Sequence, residues 1–243
     1  MRLSVIIPCL NEADYITDIL DCLSRQTMRD FEVIVVDSQS IDETAAIARA
    51  YPAPFPLRVV TSPRGVANAR NTGAAQAAGE WLYFLDADVT FGPDLLENSL
   101  DEVDARELNI ASPAFLTDSP EHLHKVGSWV SLRYCRLLSR TRYPMAGGFA
   151  ILVKCSLHHT IGAFDPKLKL GEDHYYVYQA VQAGESFGYL GSTSIVVSMR
   201  RFQNAQGVKV FSQYVFTEMY RLSHGLRVEE ELFSYEFGNH KKT

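Results

Sequence analysis

Four short apolar runs open this chain: LSVIIP from residue 3, FEVIVVD from residue 31, LRVVT from residue 57 and WLYFLD from residue 81. Runs of this length, rich in β-branched and aromatic side chains, suit strands covered on both faces. Each is separated from the next by a segment able to form a helix, and that repetition leaves little choice of architecture. It predicts an α/β fold, a mostly parallel sheet flanked by helices. Helices are expected over residues 14–24, 42–49, 66–78 and 93–106, the last with Pro93 in its first turn.

The fourth run ends in paired acids. In WLYFLDADVTF, residues 81–91, six nearly continuous apolar residues lead straight into Asp86 and Asp88, with Ala87 between them. Two carboxylates at one strand end repel each other and lose hydration, so a positive partner is expected, most simply a divalent cation. The plainer reading is that either aspartate caps the following turn. Mg2+ accepts one or two protein carboxylates and completes its shell with water and phosphate oxygens, so the metal reading implies a phosphate-bearing substrate. Open parallel sheets collect ligands at the carboxyl ends of their strands. There the loops PCLNE, VDSQSIDET, SPRGVANARN and DADVT place polar residues after each apolar run.

Charge and cysteine content narrow the function classes. The net charge of -6 comes without a basic stripe, which argues against a nucleic-acid binder and leaves local cations to meet any anionic substrate. Cys9, Cys22, Cys135 and Cys155 lack metal-ligand spacing and are too few for a disulfide scaffold, pointing to a reducing cytoplasm. The opening stretch MRLSVIIPCLNEAD contains Pro8 and runs into Glu12 and Asp14, which marks it as a first strand rather than a signal peptide. No apolar run approaches the roughly 20 residues that span a bilayer, so membrane contact is expected to be peripheral at most.

After about residue 112 the rhythm becomes irregular, as expected of a segment that covers the sheet. A helix is expected over residues 121–139, and MAGGFAILVK reads as a glycine turn entering a strand. GEDHYYVYQAVQAG begins a helix at acids and ends it at Gly184. Val208, Phe211, Val215, Met219 and Leu222 recur at helical spacing, forming an apolar face able to lie on the protein body or on a membrane. One domain over residues 1–225 with a tail over 226–243 is the expected organisation.

Taken in order, SVIIPCLNEADYI, FEVIVVDSQSIDETAAIA, GVANARNTGAAQAAGEWLYFLDADV and GEDHYYVYQAVQAG closely resemble the motifs of family 2 glycosyltransferases with the GT-A fold. The resemblance covers residue 3 to about residue 201. It implies a Rossmann-like nucleotide-sugar half over about residues 1–112 and an acceptor half over 113–225. Also implied is inverting transfer of a sugar from a nucleotide-diphosphate donor to a glycan or lipid-linked acceptor hydroxyl, with Mg2+ or Mn2+ as cofactor.

Carried over by residue, the resemblance puts Pro8, Leu10 and Glu12 around the nucleoside, and Asp37 and Ser38 where the family usually has an Asp-Asp pair. Ser38 is a departure from that pair and leaves the nucleobase open. Asp86, Ala87 and Asp88 match the D-x-D motif, whose last aspartate generally ligates the metal, and Asp173 matches the catalytic base. Glu172 is its neighbouring rival. Arg64 and Arg70 flank a helix start suited to phosphate oxygens, although Arg70 is equally suited to an ion pair with the aspartates. In MAGGF, Gly147 and Gly148 either approach the donor sugar or merely turn the chain, and the family pattern favours the first. Arg200 and Arg201 either reach the diphosphate or form a solvated patch.

Two competing functions fit parts of the pattern. LYFLDADVT also matches the D-x-D-x-T motif of haloacid dehalogenase-type phosphatases, with Asp86 as nucleophile, but that motif ordinarily ends the first strand rather than the fourth. A nucleotide-sugar or glycan-binding protein without activity is the other alternative. The histidines in EHLHK and LHH lack the spacing of a zinc site.

Overall fold

The computed structural model describes residues 1–168 and 170–198, together with Phe216, Tyr220 and Arg227. Among the described residues eight strands form one sheet in the order β3-β2-β1-β4-β7-β6-β8-β5. The first four apolar runs become β1 (Leu3–Cys9), β2 (Phe31–Asp37), β3 (Leu57–Thr61) and β4 (Trp81–Leu85). β1 pairs in parallel with β2 and β4, and β2 with β3. Every residue of β1, β2 and β4 is buried, which is why these strands read as unbroken apolar runs instead of alternating ones.

The helices between them are α1 (Ile16–Ser24), α2 (Thr44–Ala50), α3 (Val66–Gln76) and α4 (Leu95–Ala105). Two cores result, because successive side chains of a strand point to opposite faces. On one face Val5, Ile7, Val33, Val35, Tyr83 and Leu85 pack against Ile16, Ile19, Leu20 and Leu23 of α1 and Leu95, Leu96 and Leu100 of α4. On the other, Ile6, Ile34, Val36, Leu82 and Phe84 meet the small residues Ala67 and Ala74 of α3. The backbone there is so close that a Cβ on Gly73 would stand 2.4 Å from Ile6 Cγ2.

The rest of the chain differs from expectation in one respect. Instead of only covering the sheet, it adds strands to it. After β5 (Val89–Phe91) and α4 come β6 (Ile110–Thr117), α5 (His122–Leu138), β7 (Ala150–Lys154), α6 (Cys155–Thr160), α7 (Glu172–Gln182) and β8 (Phe187–Val197). β7 lies antiparallel to β4 and to β6, and β5 antiparallel to β8, whereas β6 and β8 are parallel. The sheet is therefore mixed rather than mostly parallel. Pro93 likewise falls in the turn before α4, with Asp94 at the cap, and not inside its first turn.

The antiparallel insertion of β7 beside β4 has a consequence for the site. It brings Gly148, which precedes β7, alongside the end of β4, where Asp86 N donates to Phe149 O at 3.0 Å. Glu102 of α4 secures β8 from the other side by accepting the Gly191 and Ser192 amides at 2.9 and 2.8 Å. No helix among the described residues is long and apolar enough to cross a membrane. Arg200, Arg201, the apolar face of Val208, Phe211, Val215, Met219 and Leu222, and most of the tail lie outside the described residues.

Candidate active site

The carboxyl ends of β1, β2 and β4 gather acids. Asp37, the last residue of β2, is buried, and its Oδ1 accepts the Ser40 amide at 3.2 Å. Glu12 follows β1, is also buried, and donates its amide to Thr44 Oγ1 at 2.7 Å. Pro8 lies within β1 and Leu10 just after it, and both are buried. The thiol of Cys9 registers the crowding: burial first, then the charges of Glu12, Asp37, Asp86 and Asp42, push it well above its ordinary value.

Ser38 ties three loops together. Its amide donates to Cys9 O at 2.8 Å, and its hydroxyl donates to Pro63 O at 3.2 Å while accepting the Gly65 amide at 3.0 Å. The loop leading into α3 is thereby held against the end of β2. Arg64 in that loop is exposed, and its carbonyl accepts from Asn68 Nδ2 at 2.9 Å.

One buried cation joins the distant parts of the site. Arg70 of α3 is 2% exposed. Its Nη2 donates to Gly148 O at 2.7 Å and to Asp86 Oδ1 at 3.3 Å, and its Nη1 donates to Glu172 Oε1 at 3.0 Å. The guanidinium also lies over the Phe164 ring at 5.1 Å. Burial works against its charge, but Asp86, then Glu172 and Asp173, outweigh it and hold the pKa above the ordinary value. A single side chain thus connects the end of β4, the approach to β7 and the start of α7.

Glu172 and Asp173 open α7 after Gly171, whose φ of 69° is the left-handed conformation that glycine adopts without strain. The two acids separate in role. Glu172 turns inward to Arg70, and burial, then the charge of Asp173, raise its carboxyl against the pull of that arginine. Asp173 turns toward the backbone of Gly148: a Cβ there would stand 2.7 Å from Asp173 Oδ2. Asp173 Oδ1 accepts the amide of His174 at 2.8 Å. Gly147 faces a different neighbour, since a Cβ on it would meet the Phe149 ring at 2.1 Å.

Asp86 and Asp88 are half-buried on either side of buried Ala87. Glu12, Asp37, Asp86, Asp88, Glu172 and Asp173 come from chain positions spread over much of the sequence, and Arg70 is the cation built in among them. The sequence carries no signal for the pairing of Arg70 with Glu172, nor for the two-point contact in which Asn71 Nδ2 donates to Phe164 O at 2.8 Å and Phe164 N donates to Asn71 Oδ1 at 3.0 Å. Asn71 is visible in GVANARN, but nothing in that motif points to a partner 93 residues on. His158 sits in an aromatic core, its Nδ1 2.8 Å from the Tyr176 hydroxyl, and burial, then His159, lower its pKa to about 4.

The fold and site together define an α/β protein with an acidic edge at the carboxyl ends of its parallel strands. The model of glycosyl transferase family 2 matches residues 4–157, and the chain belongs to that family. A phosphatase with Asp86 as nucleophile is therefore set aside.

An uncharacterized glycosyltransferase of Haemophilus influenzae is 36% identical over 104 residues, 42% of this chain and 34% of that protein. A PGL/p-HBAD biosynthesis glycosyltransferase of Mycobacterium tuberculosis is 42% identical over 88 residues, 35% of this chain and 34% of that one. The chain spans about a third of the length of these relatives. Among solved structures, Staphylococcus aureus TarS 1-349 in complex with UDP superimposes with a TM-score of 0.67 at 21% identity, covering 91% of this chain and 64% of that one. A mannosyltransferase from Pyrobaculum calidifontis in complex with GDP-Man and Mn2+ gives 0.73 at 22% identity, with the same 91% and 64% coverage. These two likenesses establish the α/β fold with its mixed sheet.

Proposed function

We propose that the chain is an inverting glycosyltransferase that moves a sugar from a nucleotide-diphosphate donor to a hydroxyl of a glycan or lipid-linked acceptor. The observation that carries this reading is the excess of carboxylates over cations at the strand ends, with Arg70 buried among them. A diphosphate brought to such a surface needs an added cation. Asp88, with Asp86, would hold Mg2+ or Mn2+. Two carboxylates fit these ions, which complete their shells with water and substrate oxygens. Among the described residues no group of three or more His, Cys, Asp or Glu is placed to hold a metal ion by itself. Bound there, the ion would neutralise the leaving diphosphate. The nucleotide and metal ligands of the two solved relatives are in keeping with this assignment.

The chain's own residues supply the remaining chemistry. Pro8, Leu10, Glu12, Asp37 and Ser38 form the nucleoside side, and exposed Arg64 stands at its rim. Arg70 acts as a positioning residue: it orients Asp86 and occupies Glu172, leaving Asp173 as the carboxylate that takes the acceptor proton. As the acceptor oxygen attacks the anomeric carbon opposite the diphosphate, its proton passes to Asp173, and the bond to the leaving oxygen breaks with inversion. Gly148 leaves space for that carboxylate beside the donor sugar. The corresponding organisation is a GT-A arrangement, with a donor half to about residue 112, an acceptor half over 113–225 and a tail beyond, working in the cytoplasm.

A thermal-shift screen of nucleoside diphosphates and nucleotide sugars, each with Mn2+ or Mg2+, tests the reading. Stabilisation by one nucleotide class, dependent on the metal, is expected. Indifference to every nucleotide with either metal would overturn it. Nucleotide-sugar binding without sugar transfer to any hydroxyl or water would instead support an inactive binding protein.

A further inference from the structure

Helix α5 turns a stripe of large apolar side chains away from the protein body. Val126, Trp129, Val130, Tyr134 and Leu137 are 45%, 58%, 52%, 49% and 63% exposed. Their spacing of three and four residues puts them on one helical face, while Leu132 and Cys135 on the other side enter the core. Tyr143, just past the helix, is also exposed. Isolated exposed apolar residues are ordinary, but a contiguous stripe marks a contact surface.

The charge around the stripe says what would cover it. Residues 122–164 contain no Asp or Glu, although the chain has 29 of them and a net charge of -6. Lys125, Arg133, Arg140 and Arg142 are exposed beside the apolar residues, and the Arg133 guanidinium lies over the Trp129 ring at 4.9 Å. We propose that this face of α5 docks on an anionic lipid surface. Trp129, Tyr134 and Tyr143 suit the headgroup level, Val126, Val130 and Leu137 the acyl boundary, and the four cations the lipid phosphates. A second copy of the chain meeting face to face would set the same cations against each other.

The docked face connects with the site. Tyr143 stacks on Tyr178 of α7 with ring centroids 5.9 Å apart, and Gln182 Nε2 donates to Arg142 O at 3.4 Å. α7 carries Asp173, and the chain beyond Tyr143 leads to Gly148. A surface held this way would present lipid-linked acceptors beside the proposed base. Vesicle binding itself does not depend on that assignment, so the two ideas fail separately.

The chain has two tryptophans, and Trp81 is 3% exposed against 58% for Trp129, so a change in emission reports on α5. The full chain is titrated with vesicles of phosphatidylcholine alone or mixed with phosphatidylglycerol, reading fluorescence and co-sedimentation. A blue shift and sedimentation with the anionic vesicles alone, weakened by salt, are expected. The triple variant R133Q/R140Q/R142Q should bind about 100-fold more weakly, since each surface cation contributes roughly fivefold. W129S/L137S should fail to sediment while melting near the parent temperature. The proposal is overturned if the parent ignores anionic vesicles, or if both variants sediment like the parent, which would move the contact elsewhere, for example to residues 199–243. Trp129 emission already blue without vesicles would also overturn it, because another segment or copy would then cover the stripe.

Discussion

Replacing Arg70 by Met keeps much of the side chain's volume and removes its charge from a site where it is 2% exposed. Three acceptors lose the Arg70 donor at once: Gly148 O, Asp86 Oδ1 and Glu172 Oε1, at 2.7, 3.3 and 3.0 Å in the parent. Breaking a buried ion pair by removing one partner costs about 3–5 kcal/mol, because the other charge stays buried. In a chain of this size that corresponds to a fall in melting temperature of roughly 6–20 °C. The loss should also depend on pH. Glu172 is raised above the ordinary carboxyl value by burial and Asp173, and without Arg70 it rises further. A carboxyl raised in the folded state favours folding while protonated, and that contribution is lost as pH climbs through the raised value. Melting curves of parent and R70M should therefore differ more near about pH 8 than near about pH 5. A variant within a degree or so of the parent, or one more damaged in acid, would refute the clamp.

Gly148→Ala sets a methyl 2.7 Å from Asp173 Oδ2, so turnover should drop sharply while nucleotide binding persists; steady-state kinetics beside calorimetry would show the split. Asp173→Asn should keep nucleotide affinity and lower turnover by about 10²–10⁴, the scale of a lost general base, whereas a purely structural acid would cost stability alone. His158, neutral in the fold with its pKa lowered to about 4, makes stability fall as pH drops below its ordinary 6.5, because the unfolded chain takes up the proton first. That loss is roughly 3 kcal/mol by about pH 4, and His158→Gln should largely remove it from denaturant titrations.

The first four strands were legible because β1, β2 and β4 are wholly buried, so apolar runs such as FEVIVVD announced themselves. β6 was hidden by composition, because Pro113 interrupts it. The strand before SMRRF could be read from the sequence, but Gly188, Gly191 and several hydroxyl side chains hide how far back β8 extends. Strand direction was equally invisible, since LVK in β7 reads the same whether it runs with β4 or against it. At the site, each acid could be found from its loop, but their mutual arrangement could not. Arg70 meets Glu172 across 102 residues, and no spacing rule links them. The exposed stripe of α5 is a related case. Its apolar residues recur at helical spacing as a core-facing helix would have them, and only the packing of Leu132 and Cys135 into the core decides which side faces out.

Calorimetric titration of parent and Asp88→Ala with a nucleoside diphosphate, in Mn2+ and then in excess chelator, tests the central claim most directly because it needs no knowledge of the acceptor. The account predicts tight binding by the parent only when the metal is present, and weak, metal-indifferent binding by the variant. Equal affinity in the two proteins, with the metal requirement intact in each, would remove Asp88 from the donor site and contradict the account.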